Sequence, residues 1–165
     1  MSPPHRLLVV DDEAAILFAM GDYLSRCGYE VDRASSREQA GSLLAAGAYA
    51  LVVVDLRLGV HEPRGGLDVL RRLRERQPET PAILLTAYGS AEVEAELARL
   101  GAVRLLSKPQ PLTRIAEEVA ELLAPAVQNL DGMSRIWRDP AAAETAPPGD
   151  NRGIDLATLR TQTRR

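Results

Sequence analysis

Three runs of consecutive apolar residues, each halted by a polar or acidic one, constrain this chain more than any other feature. Leu7 to Val10 stops at Asp11 and Asp12, Leu51 to Val54 stops at Asp55, and Ile83 to Leu85 stops at Thr86. A strand that is apolar on both sides of its pleat must be covered on both faces. That is the environment of a parallel sheet with helices packed above and below it. Residues 29–34 alternate apolar and polar, as a half-buried strand would. Val103 to Leu106 reads as a further strand, ending at Ser107, Lys108 and Pro109.

Helical patterns lie between these strands. Ala14 to Arg26 carries Ile16, Leu17, Met20 and Leu24 at close to helical spacing, and Gly28 suits the residue beyond its C-cap. Ser35 or Ser36 can cap a helix to about residue 46, closed by Gly47. A polar, glycine-containing loop runs from Arg57 to Gly66. Leu67 to Arg76 then reads as a helix with arginines opposite its apolar face, and Pro78 and Pro81 punctuate the turn after it. Ala91 to Leu100 is a helix closed by Gly101. Thr113 can cap a last one through Leu123 or beyond, where Pro125 kinks or ends it. Five βα units joined by right-handed crossovers predict an α/β fold: a doubly wound (βα)5, flavodoxin-like parallel sheet of strand order 2-1-3-4-5.

That pattern occupies residues 1–130. From about Asp131 it fails, and the Pro-, Ala- and Gly-containing segment 131–165 reads as a flexible tail. Ile154, Leu156 and Leu159 could form one short helix near 154–162, and Trp137, with Ile136 and Met133, is the tail's best apolar anchor. The tail's 6 basic and 5 acidic residues make no charge field, and the whole chain has a formal net charge of -3. Neither nucleic acid nor a membrane is therefore expected as a direct partner. No apolar leader segment follows Met1, and no run approaches the roughly 18 apolar residues of a membrane span, so the cytoplasm is the expected location. Cys27, the only cysteine, can form neither an internal disulfide nor a thiolate cluster, and is expected to be inert and partly buried.

In an open parallel sheet, ligands bind beyond the carboxyl ends of the strands. Asp11 and Asp12, Asp55, Thr86 and Lys108 all fall there. Carboxylates crowded into one cleft repel, raise their pKa values or bind a cation. An all-oxygen donor set suits a hard ion, and Mg²⁺ uses few carboxylates together with a phosphate. One carboxylate can then be a nucleophile toward a phosphoryl group, with an ammonium and a metal neutralising the charge on the transferring oxygens. Taken singly, each residue has a plainer reading. Asp11 or Asp12 could cap the helix that starts at Ala14, Thr86 could close a turn, and Lys108 could be a solvated surface lysine. It is the joint placement at one sheet edge that favours chemistry.

The segments Leu8-Val-Val-Asp-Asp-Glu13, Val54-Asp55, Leu85-Thr-Ala87 and Ser107-Lys-Pro109 resemble the receiver domain of bacterial two-component response regulators, over about residues 5–130. The resemblance implies a receiver with a C-terminal tail, in which Asp55 is the phosphoacceptor. Asp11, Asp12, Asp55 and the backbone carbonyl of Arg57 would hold Mg²⁺. Thr86 and Lys108 would contact the phosphoryl group, and Pro109 would follow a cis peptide. It further implies phosphorylation by a histidine kinase or a histidine phosphotransfer protein and loss of the phosphoryl group to water. The output would be contact with a downstream protein through the fourth helix, fifth strand and fifth helix, a face that could also pair two copies. Such a domain is no enzyme beyond its own Mg²⁺-dependent phosphorylation and dephosphorylation.

Two departures from the family pattern stand out. The loop after Asp55 lacks the usual Met-Pro, is about three residues longer, and holds His61, which reads as a solvated loop residue. The usually aromatic switch position three before the lysine is Leu105. These departures keep open the alternative of a pseudo-receiver-like module that docks constitutively with weak or no phosphotransfer. A phosphatase with an aspartate nucleophile would usually carry a second aspartate two residues on, where this chain has Arg57.

Overall fold

The computed structural model describes residues 2–125. The expectations for the tail, its flexibility, its short helix and its apolar anchor, lie outside the described residues. Within them the chain runs β1 (Arg6–Val10), α1 (Ala14–Arg26), β2 (Glu30–Ala34), α2 (Arg37–Ala46), β3 (Leu51–Asp55), α3 (Gly65–Arg76), β4 (Ala82–Thr86), α4 (Ala91–Leu100), β5 (Val103–Ser107) and α5 (Leu112–Leu123). All strands pair in parallel in the order β2-β1-β3-β4-β5. This is the doubly wound flavodoxin-like sheet that the apolar runs predict.

Side-chain alternation along the strands divides the core in two. Leu7, Val9, Leu51, Val53, Ile83 and Leu85 face one way and pack with Leu17, Met20 and Leu24 of α1 and Ile115 and Val119 of α5. Leu8, Val10, Val52, Val54, Ala82 and Leu84 face the other way and pack with α2, α3 and α4 through Leu44, Leu67, Leu70, Leu73, Val93 and Leu97. The strand runs contain no polar residue because neither face meets water. Each fully buried Leu or Val stabilises the fold by about 1.5–3 kcal/mol relative to exposure.

Several boundaries have local causes. Ser36 caps α2 by accepting the Gln39 N–H at 3.1 Å, and Ser90 caps α4 by accepting that of Val93 at 3.3 Å. Gly28, with φ of +97°, ends α1 in a conformation that favours glycine. Helix α3 begins at Gly65 rather than Leu67, because the Gly66 N–H donates to the Leu56 carbonyl at 2.9 Å and lays the helix start against the end of β3. Helix α5 starts at Leu112 behind Pro111, so Thr113 lies inside its first turn and caps nothing. Pro111 fits that place because it lacks the N–H that a helix entrance would leave unpaired. Cys27 is exposed rather than partly buried: it forms the C-cap of α1, beyond the last residue of the helix's packed stripe. No helix of the described residues is long and apolar enough to cross a membrane.

Candidate functional site

The carboxyl ends of β1, β3, β4 and β5 bring the expected polar residues to one edge. Pairing with β2 continues past β1, since the Asp11 N–H donates to the Ala34 carbonyl at 3.1 Å, and this holds Asp11 in the interior at 1% exposure. Its Oδ1 accepts the Glu13 N–H at 2.9 Å. Asp11 therefore orders the entrance of α1 without being its cap, a position that Glu13 holds with no side-chain bond. Asp12 is exposed beside it. Asp55 closes β3 at 7% exposure. Lys108 follows β5, where its N–H donates to the Thr86 carbonyl at 2.7 Å and extends the β4–β5 pairing.

Lys108 reaches back across the edge. Its Nζ lies 2.8 Å from Asp55 Oδ2 and 3.4 Å from Asp11 Oδ2. Burial pulls the ammonium's pKa down, but the hydrogen bond to Asp55 and the charges of Asp11 and Asp55 outweigh it and hold the group above the ordinary lysine value. Burial pushes the Asp11 carboxyl up, as does the Asp55 charge, against the opposing pull of the Glu13 N–H and Lys108. Oxygens of Asp11, Asp12 and Asp55 lie within 4.8 Å of one another. Three carboxylates at that spacing, two of them buried and facing one ammonium, fit a hard divalent cation such as Mg²⁺.

The remaining expected residues are placed differently. Thr86 ends β4 at 3% exposure, yet its hydroxyl is committed to the next loop: it donates to the Tyr88 carbonyl at 2.9 Å and accepts the Tyr88 N–H at 3.1 Å. That is the turn-closing role the residue has when read alone. Leu105 is half-buried and packs with the core on the α2–α4 side of the sheet. The Lys108–Pro109 peptide is cis. Arg57 is exposed, with its guanidinium directed to the Gly59 carbonyl at 3.4 Å, and His61 is an exposed loop residue.

The long loop after Asp55 is more structured than its polarity suggests. It buries Leu56 and Leu58, ties Glu62 to Arg37 of α2 at 3.3 Å and joins Arg64 to Glu92 of α4 in an ion pair. The spacing of Leu56 and Leu58, which continues the strand period of two, was the available signal for the buried anchors. Gly66 makes the loop's return possible, since a Cβ there would sit 2.3 Å from the Asp55 carbonyl oxygen.

A five-stranded parallel sheet bearing a carboxylate cluster and one lysine at the ends of β1, β3 and β5 defines a receiver-type signalling domain. The family model of the response regulator receiver domain matches residues 7–120, and the chain belongs to that family, whose signalling depends on phosphorylation within two-component systems. Among its relatives, the photosynthetic apparatus regulatory protein RegA of Rhodobacter capsulatus is 32% identical over 133 residues, 79% of this chain and 71% of RegA. The response regulator protein PilR of Pseudomonas aeruginosa is 34% identical over 148 residues, 89% of this chain but 29% of PilR. The chain thus spans under a third of PilR and most of RegA. Similar solved structures include a CheY-like receiver domain protein from Methanospirillum hungatei JF-1, with a TM-score of 0.67 at 27% identity over 73% of this chain and 94% of that one. A response regulator receiver protein from Sinorhizobium medicae WSM419 has a TM-score of 0.65 at 28% identity over the same shares.

Proposed function

We propose that this chain is a phosphorylation switch whose acceptor is Asp55, loaded by the phosphohistidine of a partner histidine kinase or histidine phosphotransfer protein. The observation that carries this reading is the Lys108 ammonium bridging Asp55 and Asp11 beside a carboxylate set spaced for a divalent cation. A carboxylate oxygen of Asp55 attacks the phosphorus, forming the P–O bond as the P–N bond to the histidine breaks, and the imidazole leaves with the electron pair. Lys108 balances charge on the phosphoryl oxygens. Asp11, Asp12, Asp55 and the Arg57 carbonyl would hold Mg²⁺, which supplies further neutralisation of the transferring group when bound. After transfer, the Thr86 hydroxyl leaves Tyr88 to bond a phosphoryl oxygen. Water later attacks the phosphorus, the P–O bond to the Asp55 carboxylate breaks, and inorganic phosphate leaves with Asp55 restored. The chain turns over no outside substrate. It signals by contact with a downstream protein rather than with nucleic acid, its expected compartment is the cytoplasm, and the face of α4, β5 and α5 also suits pairing of two copies.

A second reading, constitutive docking with weak phosphotransfer, draws on Leu105 in place of an aromatic ring and on the Thr86 hydroxyl already engaged by Tyr88. Intact mass measurement after incubation with Mg²⁺ and acetyl phosphate separates the two. A phosphoryl increment in the wild type, absent in Asp55→Asn and abolished by chelation, is the expected result. Absence of the increment with both acetyl phosphate and a phosphorylated kinase would leave constitutive docking as the better account.

A further inference from the structure

The loop between β3 and α3 is a closed excursion with one residue at its hub. The Gly66 N–H bond to the Leu56 carbonyl brings the chain back to the point where it left the strand. Inside the loop, the Glu62 carbonyl accepts the N–H of Leu58 at 3.1 Å and that of Gly65 at 3.2 Å, and the Glu62 N–H donates to the Gly59 carbonyl at 3.3 Å. The Glu62 side chain lies close against Gly65, where a Cβ would meet Oε2 at 3.0 Å. Leu56 and Leu58 anchor the outgoing arm in the core. The returning arm, Glu62 to Arg64, carries no buried apolar side chain.

Charge holds that returning arm to the body of the domain. Arg64 pairs with Glu92 at an open surface, with side chains 53% and 72% exposed. The tie at the hub is more enclosed. Arg37, the first residue of α2, reaches Glu62 through Nη2 at 3.3 Å, and those two side chains are 33% and 30% exposed. The same guanidinium lies 2.9 Å from Asp68 in the first turn of α3 and 3.2 Å from Glu38 of its own helix. One cation thus gathers three carboxylates, from α2, the loop and α3. Without it the three would repel. Glu38 and Asp68 are fixed in helices, so the carboxylate free to move away is that of Glu62.

We propose that Arg37 is a positioning residue for the divalent cation: by holding Glu62 it fixes the loop that leads out of Asp55, and so sets how tightly Asp11, Asp12 and Asp55 bind the ion. The inference rests on the cation reading of that carboxylate set. Arg37 acts through the loop. A loop that opens for part of the time offers a competent site for only the remaining fraction, and the apparent dissociation constant rises as that fraction falls.

Calorimetric titration of the full chain with Mg²⁺ tests this in wild type, Arg37→Gln, Glu62→Gln, the double variant and Arg37→Lys. Each Gln variant is expected to bind Mg²⁺ about two- to fivefold more weakly, the range over which a partly exposed pair shifts an equilibrium. The double variant is expected to bind no more weakly than the weaker single, since both changes remove one tie. Arg37→Lys keeps a cation for Glu62 but loses the fork, and is expected to recover part of the loss. The sign at Arg37 separates positioning from bulk charge. Removing one cation favours the binding of another, so a purely electrostatic effect would tighten Mg²⁺ binding in Arg37→Gln. Tighter or unchanged binding in that variant, or additive losses in the double, would overturn the proposal. Amide hydrogen exchange in chelator checks the cause: Arg37→Gln is expected to speed exchange in a peptide covering 57–65 by a similar factor and to leave the strands unchanged. Weaker Mg²⁺ binding without that change would also overturn it. A wild type that binds no Mg²⁺ sinks the cation reading and the proposal together. A wild type that binds, beside an Arg37→Gln that binds equally well, sinks the proposal alone.

Discussion

The Lys108 ammonium lies 2.8 Å from the Asp55 carboxylate, although 53 positions separate the two in the chain. The same ammonium is 3.4 Å from Asp11. Without it, two nearly buried carboxylates would face each other with no cation. Lys108→Met is therefore expected to lower stability in metal-free buffer at neutral pH by about 1–3 kcal/mol. Mg²⁺ should restore more stability to the variant than it adds to the wild type. Thermal unfolding with and without Mg²⁺ measures both, and equal unfolding of the two proteins in chelator would show that the pair contributes nothing.

Two glycines separate steric from conformational demand. A Cβ at Gly66 would meet the Asp55 carbonyl oxygen at 2.3 Å and Leu56 Cα at 2.8 Å, whereas one at Gly28 would meet nothing within 4 Å but would have to hold φ of +97°. Gly66→Ala should cost about 1–3 kcal/mol and displace the Asp55 backbone, weakening Mg²⁺ binding. Gly28→Ala should cost about 1–2 kcal/mol and leave Mg²⁺ binding unchanged. Urea unfolding paired with metal titration reads the contrast. Equal metal affinity in both variants would count against the role of Gly66 in placing Asp55.

At the opposite end of the sheet, the Tyr49 hydroxyl donates to Asp32 Oδ2 at 2.7 Å, Arg6 donates to the same oxygen at 2.6 Å, and the Arg6 guanidinium lies 5.1 Å from the Tyr49 ring centroid. Burial, then the hydrogen bond and charge of Asp32, hold the phenol's pKa well above its ordinary value. A raised folded pKa gives stability that is fully present below the unfolded value of about 10 and is lost as pH rises toward the folded one. Tyr49→Phe should cost about 1 kcal/mol at neutral pH. The gap between wild type and variant should narrow above about pH 10. Chemical denaturation from neutral to alkaline pH follows that gap, and a constant difference would refute the linkage.

Glu118 is 2% exposed and forms ion pairs with both Arg104 of β5 and Arg114 of its own helix, pinning α5 to the edge strand. Removing Arg104 leaves the buried Glu118 carboxylate with the more exposed Arg114 as its counter-charge. Arg104→Ala is expected to destabilise by about 3 kcal/mol. Arg114→Ala, at a more exposed side chain, should cost about 1 kcal/mol or less. Unfolding free energies of the two variants test the ranking.

The order and kind of the elements were legible in the sequence because burial on both faces leaves no room for polar residues inside β1, β3 and β4, only at their ends, and because each run ends abruptly. The glycine and serine punctuation marked α1, α2 and α4 for equally local reasons. The candidate site was legible too, as residues at strand ends, because a parallel sheet sends every such end to one edge. The start of α3 was not, since it depends on a backbone approach between Gly66 and Asp55 that no local pattern encodes. Nor was the entrance of α5, where Pro111 rather than a hydroxyl begins the helix.

What the sequence by itself determined is the two-period apolar pattern, the turn chemistry and the set of reactive groups, all of which act over a few neighbouring residues. Only the tertiary structure decided which groups meet. It put Lys108 against Asp55 and Asp11 rather than in solvent, and joined Arg64 of the long loop to Glu92 of α4. These pairings are made between segments far apart in the chain, by long side chains whose direction depends on what the packed core leaves open to them.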